Sequence, residues 1–113
     1  MGSSLSTLTP QETTELRNLI DKQIQTNKIM IYSKTHCPYC HRAKSELDKL
    51  KLNYSVIELD RDDHGSSIQA LLAEKTGQKT VPNIFINRAH VGGCDDLLEK
   101  IRTGEVYKLL SAS

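Results

Sequence analysis

With 113 residues, 37% of them hydrophobic and 26% charged, the chain has the length and composition of one soluble globular domain. Fifteen basic residues against fourteen acidic ones leave no basic stripe of the kind a nucleic-acid surface needs, so no nucleic-acid partner is expected. No run approaches about eighteen apolar residues, and the opening residues lack the apolar stretch of a secretory signal, so a cytoplasmic location is expected. In a reducing compartment three cysteines do not suggest a disulfide framework, and an odd number disfavours purely structural pairing.

Residues 1–8 read as a mobile polar tail, and residues 9–113 as the domain. Met1-Gly2-Ser3-Ser4-Leu5-Ser6 formally fits a myristoylation signal, which makes Gly2 a candidate lipidation site. Such short patterns match often by chance, and one acyl chain anchors only weakly. Thr9-Pro10-Gln11-Glu12 predicts a helix start, with a hydroxyl cap, a first-turn proline and a capping-box glutamate. Leu16, Leu19, Ile20 and Ile24 then share one helical face.

Lys28 to Ser33 is apolar and β-branched enough to predict a strand. A second helix follows Cys37, with Ala43, Leu47 and Leu50 inward, and Tyr54 to Leu59 reads as the next strand. Ile68, Leu71 and Leu72 mark a third helix that Gly77 terminates. Asn83 to Asn87 and His90 to Val91 predict two short strands around a tight turn, and the apolar positions from Leu97 to Leu110 predict terminal helices broken near Gly104. The first strand–helix–strand unit should be a parallel crossover and the later strand pair an antiparallel hairpin. An α/β domain with a small mixed sheet flanked by helices is the expected result.

The chemistry concentrates at Cys37-Pro38-Tyr39-Cys40, between a strand and a helix. A cysteine attacks as its thiolate. Unpaired N–H groups and the dipole at a helix start favour negative charge there, and Lys34 adds a nearby cation, so Cys37 is the expected nucleophile. Cys40 falls one turn later on the inward stripe of Ala43 and Leu47, which suits a buried resolving thiol. Pro38 lacks a donor that the helix start does not need and stiffens the turn between the sulfurs. A Cys-x-x-Cys pair also occurs as half of a zinc site. The remaining ligands would come from His36, His41 and Cys94, in no paired spacing, so redox chemistry is the favoured reading and no metal site is expected.

Four segments together, Lys34-Thr35-His36-Cys37-Pro38-Tyr39-Cys40, Thr80-Val81-Pro82, Gly92-Gly93 and Cys94-Asp95-Asp96, resemble the dithiol branch of the glutaredoxin family. The resemblance runs over roughly residues 15–110. Thioredoxins share the fold but typically carry Trp-Cys-Gly-Pro-Cys, and this chain has no tryptophan. The resemblance implies a thioredoxin-like fold with a four-stranded mixed sheet. It also implies glutathione as co-substrate with no bound cofactor, and Cys37 and Cys40 as the catalytic pair. Thr80, Val81 and Pro82 would form a cis-proline loop whose Val81 backbone pairs with the cysteine of glutathione. Gly93 permits close approach, and the Cys94 and Asp95 N–H groups would hold the γ-glutamyl carboxylate, with the Asp95 side chain on its amino group. Asp95 and Asp96 equally suit a helix N-cap. Lys34 and Gln69 would meet the glycine carboxylate, and Tyr39 would wall the groove.

The partners implied are glutathionylated or disulfide-bonded proteins and, indirectly, glutathione reductase, since the chain has no dinucleotide fingerprint. A monomer is expected. Cys94 is a candidate regulatory thiol as well as a small packed residue. Two other functions stay open: an iron–sulfur carrier using the nucleophilic cysteine with glutathione, which Pro38 disfavours, and a thioredoxin-type reductase with another electron donor.

Overall fold

The structure, a computed structural model, describes residues 7–112, so the Gly2 motif lies outside the described residues. Thr9 caps α1 (Pro10–Thr26): its Oγ1 accepts the Glu12 N–H at 3.0 Å, and Glu12 returns the bond to the Thr9 N–H at 3.0 Å. This reciprocal pairing satisfies donors that a helix start leaves orphaned. Leu16, Ile20 and Ile24 are buried along one face. Leu19, expected with them, stays 46% exposed, because an i, i+4 stripe suffices for this contact. Leu8, assigned to the tail, instead packs partly buried on the same core.

β1 (Ile29–Ser33) is buried at every position. Its alternation divides the interior, since successive side chains leave a strand on opposite faces. Met30 and Tyr32 join α1, Ile68, Leu71, Leu72 and Phe85 on one side. Ile29 and Ile31 join Ala43, Leu47, Ile84, Ile86, Leu97 and Val106 on the other. Each large aliphatic buried here contributes on the order of 1.5–3 kcal/mol relative to exposure. Within this layer the Tyr32 hydroxyl donates to Gln23 Oε1 at 2.8 Å.

After α2 (Pro38–Lys49) comes β2 (Ser55–Glu58), shorter than expected and half-buried as an edge strand. Leu50, expected on the inner face of α2, is its half-buried C-cap. α3 (Gly65–Thr76) ends at Gly77, as its sequence predicts. β3 (Asn83–Ile86) and β4 (Ala89–Gly92) form the hairpin, with Asn87 and Arg88 both at positive φ in its turn. α4 (Cys94–Thr103) and α5 (Glu105–Ser111) meet at Gly104.

The four strands lie in the order β2-β1-β3-β4, with β1 parallel to β2 and antiparallel to β3. The register pairs Ser33 with Glu58, Tyr32 with Asn83, and Ile84 with Gly92. Consequently the residues after β1, after β2, before β3 and after β4 all emerge at one edge of the sheet. Segments far apart in sequence are thereby gathered at a single rim. The expected thioredoxin-like architecture, a four-stranded mixed sheet flanked by helices, is the one observed.

Gly65 opens α3 where the chain passes close behind β2. A Cβ built there would lie 1.7 Å from the Leu59 carbonyl oxygen, which is backbone and cannot swing aside. Gly65→Ala should therefore lower stability by at least about 1–3 kcal/mol in urea unfolding. Ser66→Ala, at the exposed neighbour, should stay within about 0.5 kcal/mol. Equal midpoints for the two variants would contradict this close packing.

Candidate active site

The chain leaves β1 at Ser33 and reaches Cys37, the N-cap of α2, in extended conformation at φ −92° and ψ 115°. Cys37 Sγ accepts the Cys40 N–H at 3.2 Å, doing the work a serine or aspartate oxygen does at an ordinary helix start. Such a bond strengthens as the acceptor gains negative charge. Pro38 occupies the first turn, where its missing N–H leaves nothing unpaired.

Cys40 sits one turn further, fully buried in line with Ala43 and Leu47. Burial pushes its thiol up to about 11, and its contact with Cys37 acts in the same direction. The two sulfurs are thus unequal: Cys37 lies half-buried at the rim, and Cys40 is sealed beneath it.

The loop carrying Cys37 is tied down by a residue the sequence did not single out. Asp60, just past β2, accepts the Thr35 N–H at 3.0 Å through Oδ1 and the Thr35 hydroxyl through Oδ2. His36 Nδ1 lies 3.4 Å from the same Oδ2. These bonds, the Thr35 hydroxyl foremost, hold the Asp60 carboxyl down at about 2, so it is ionised throughout the neutral range. On the other side, the Thr35 carbonyl lies 2.7 Å from His41 Nε2 on α2, and the Lys34 carbonyl accepts the Cys37 N–H at 3.2 Å.

Facing the dithiol is the loop before β3, whose Val81–Pro82 peptide bond is cis, as the resemblance implied. The Val81 carbonyl lies 3.8 Å from Cys37 Sγ. At the far end, Gly92 holds φ +120°, and a Cβ there would fall 2.2 Å from Asp96 Oδ2. That oxygen accepts the Gly93 N–H at 3.1 Å, so Asp96 performs the capping role that the sequence left shared between two aspartates. The next N–H groups, at Cys94 and Asp95, belong to the first turn of α4 and have no intrahelical partner. The Asp95 side chain is exposed beside them.

A groove of about 490 Å³ joins these parts. It brings together Tyr39 from α2, Thr80, Val81 and Pro82, and Gly93, Cys94 and Asp95, with Gln78 and Asp96 completing the lining. Tyr39 is 60% exposed, an apolar ring standing at the mouth. Cys37, Cys40, Lys34 and Gln69 are not in this lining, and Cys37 Sγ borders it through the Val81 carbonyl. Gln69 Nε2 donates to the Lys79 carbonyl at 2.9 Å, and Lys34 is half-buried beside the Cys37 loop. Cys94 is 4% exposed and packs with the core under α4. Burial pushes its thiol up against an opposing pull from Arg42, which leaves it less ionised than an open thiol and works against easy oxidation.

A family model described as Glutaredoxin matches residues 29–91, the stretch from β1 through β4 that builds the rim. The chain is 48% identical over 98 residues to Glutaredoxin-1 of Rhizophagus irregularis, covering 87% of this chain and 97% of that protein. It is 48% identical over 88 residues to a glutaredoxin of Ricinus communis, covering 78% and 86% of the two chains. Among solved structures, the buckwheat glutaredoxin–glutathione complex superposes with a TM-score of 0.86 at 39% identity, covering 92% of this chain and 94% of that one. A buried thiol beneath a half-buried one, a cis-proline loop opposite and a helix start beyond are thus found in a chain that belongs to the glutaredoxin family.

Proposed function

We propose that this glutaredoxin reduces glutathione mixed disulfides and protein disulfides, drawing its electrons from glutathione. The observation that carries the reading is the groove itself. Its lining runs from Val81, whose carbonyl lies 3.8 Å from Cys37 Sγ just outside it, to Cys94 and Asp95 in the first turn of α4. That span offers, in order, a nucleophile, a backbone edge and an anion site, which suits a tripeptide thiol with a carboxylate at its γ-glutamyl end. The buckwheat relative is described as a glutathione complex, which supports the same assignment.

In the first step the Cys37 thiolate attacks the glutathione sulfur of a mixed disulfide. The new bond joins Cys37 to glutathione, the old disulfide breaks, and the substrate leaves as a thiolate that takes a proton from water. A second glutathione thiolate then attacks the glutathione sulfur on Cys37, releasing glutathione disulfide and regenerating the Cys37 thiolate. With a protein disulfide, Cys37 forms the mixed disulfide with one substrate sulfur. Cys40 then loses its proton and attacks Cys37, closing the Cys37–Cys40 disulfide and freeing the reduced substrate; two glutathione molecules reopen that bond.

The remaining residues divide the ligand between them. The Val81 backbone pairs with its cysteine, the Cys94 and Asp95 N–H groups take the γ-glutamyl carboxylate, and the Asp95 carboxylate takes the amino group. Thr80, Pro82 and Gly93 shape the wall, and the Tyr39 ring covers it. Lys34 and Gln69 serve the glycine carboxylate from outside the lining, Gln69 with the amide hydrogen it does not give to Lys79.

A glutathione-coupled assay on a glutathionylated peptide tests the assignment. Cys37→Ser should abolish turnover, while Cys40→Ser should keep deglutathionylation and lose reduction of protein disulfides. Turnover surviving in Cys37→Ser would remove Cys37 as the nucleophile. Sustained turnover with thioredoxin reductase but not with glutathione would remove the electron donor.

The burial of Cys40 adds a pH dependence. A thiol raised to about 11 stays protonated at neutral pH, so its resolving attack is limited by proton loss and should quicken as pH rises. In a Cys37→Ser/Cys94→Ser variant the only thiol left is Cys40. Its thiolate ultraviolet absorbance should appear well above the range of an open cysteine, about 8.5. A midpoint at that ordinary value would contradict the sealed position.

A further inference from the structure

The stretch from Gln78 to Pro82 belongs to no helix or strand, so no ladder or helical bond fixes its peptide planes. Its carbonyls are held by side chains instead. Gln69 takes the Lys79 carbonyl at 2.9 Å. The Gln78 amide nitrogen donates to the Thr80 carbonyl at 3.0 Å and to the Pro82 carbonyl at 2.9 Å. One NH₂ group has two hydrogens, and both are committed here. From Lys79 to Pro82 these restraints thus leave out the Val81 carbonyl, which faces Cys37 Sγ.

Gln78 is anchored in turn. Its N–H donates to Thr76 Oγ1 at 3.0 Å, and the Asn83 side-chain amide reaches the same oxygen at 3.5 Å. Asn83 Oδ1 is an acceptor, so His90 Nε2, 2.9 Å away, donates to it. The His90 ring in turn rests against Phe85, with centroids 5.1 Å apart. Asn83 is 1% exposed at the start of β3, and a polar side chain so buried needs such partners. A polar chain therefore runs from β4 under β3 to the groove wall, and the dithiol chemistry makes no direct use of it.

We propose that Gln78 is a positioning residue for ligand recognition: by holding the carbonyls on either side of Val81, it sets the backbone edge on which the peptide part of glutathione lies. The proposal rests on the glutathione reading above. Gln78 touches neither reacting sulfur, and its effect passes through the orientation of Val81. Strand-like pairing is directional and weakens steeply once N–H and C=O swing out of line. Releasing the two flanking carbonyls should therefore weaken recognition of the glutathione backbone more than attack by Cys37.

The test compares one peptide carrying either of two disulfide caps, glutathione or cysteamine. Cysteamine offers the same sulfur to attack but has no peptide backbone to pair with Val81. The readout is the ratio of kcat/KM values for the two caps, in wild type, Gln78→Glu and Gln78→Met. Glutamate and methionine are close to glutamine in length, and neither can donate to the two carbonyls. The ratio should fall about threefold to tenfold in both variants, the size of one neutral hydrogen bond lost at recognition. An equal loss on both caps, the mark of a merely damaged loop, overturns the proposal. A wild-type preference kept intact in both variants overturns it as well, while leaving the glutathione reading standing. A wild-type ratio near one would sink the glutathione reading, and this proposal with it.

Discussion

Tyr32 pairs with Asn83 at the end of the β1–β3 ladder, and the site exists because of where that register stops. One residue beyond Tyr32 the chain leaves β1 toward Cys37, and one residue before Asn83 it is still the cis-proline loop. Antiparallel pairing turns those two loops toward each other across about one strand spacing. A slip of one residue would send Met30 and Tyr32 to the wrong face and break both apolar layers at once. The core therefore enforces the register, and the register sets the distance between Cys37 and the Val81 backbone. Parallel β2 and antiparallel β4 add Asp60 and the α4 start to the same rim.

On that frame the two thiols acquire different work from position alone. Cys37 caps a helix and keeps a face to the rim, where negative charge meets unpaired N–H groups. Cys40 is on the same helix one turn later, and the packing that holds Leu47 and Ala43 also excludes water from its sulfur. Rigid supports surround both: Asp60 and His41 fix the loop before Cys37, and Gln78 and Gln69 fix the loop opposite. Charged or amide side chains do this where regular backbone bonding is absent. Cys37, Cys40 and the Val81 carbonyl thus lie within a turn or a strand spacing of one another.

Features that depend on near neighbours were legible in the sequence. The Thr9 cap, the helix start at Cys37, the breaks at Gly77 and Gly104, and the apolar β-branched run of β1 are all local patterns, and each is present. What escaped depends on distant partners. Asp60 sits in a run of polar residues and reads as loop, because nothing local tells that its carboxylate reaches Thr35 across 25 residues. Gln78 escaped for a different reason: its partners, Thr80 and Pro82, are two and four residues away, but residue type does not tell where loop carbonyls point. Leu19 and Leu8 exchanged their expected roles because a helical stripe fixes a face but not its width, and because Leu8, just before the Thr9 cap, packs on the same cluster. Asp95 and Asp96 are indistinguishable by composition, and only the Gly93 turn assigns the cap to Asp96.

One sheet register sets Cys37 against the Val81 carbonyl at the edge of the groove, and whether glutathione lies there can be seen directly. The most direct test is a structure of the Cys40→Ser protein trapped as a mixed disulfide between Cys37 and glutathione. The glutathione cysteine should pair with the Val81 backbone, and its γ-glutamyl carboxylate should lie on the Cys94 and Asp95 N–H groups. A glutathione bound to Cys37 but lying outside the groove, with the Val81 carbonyl unpaired, would contradict it.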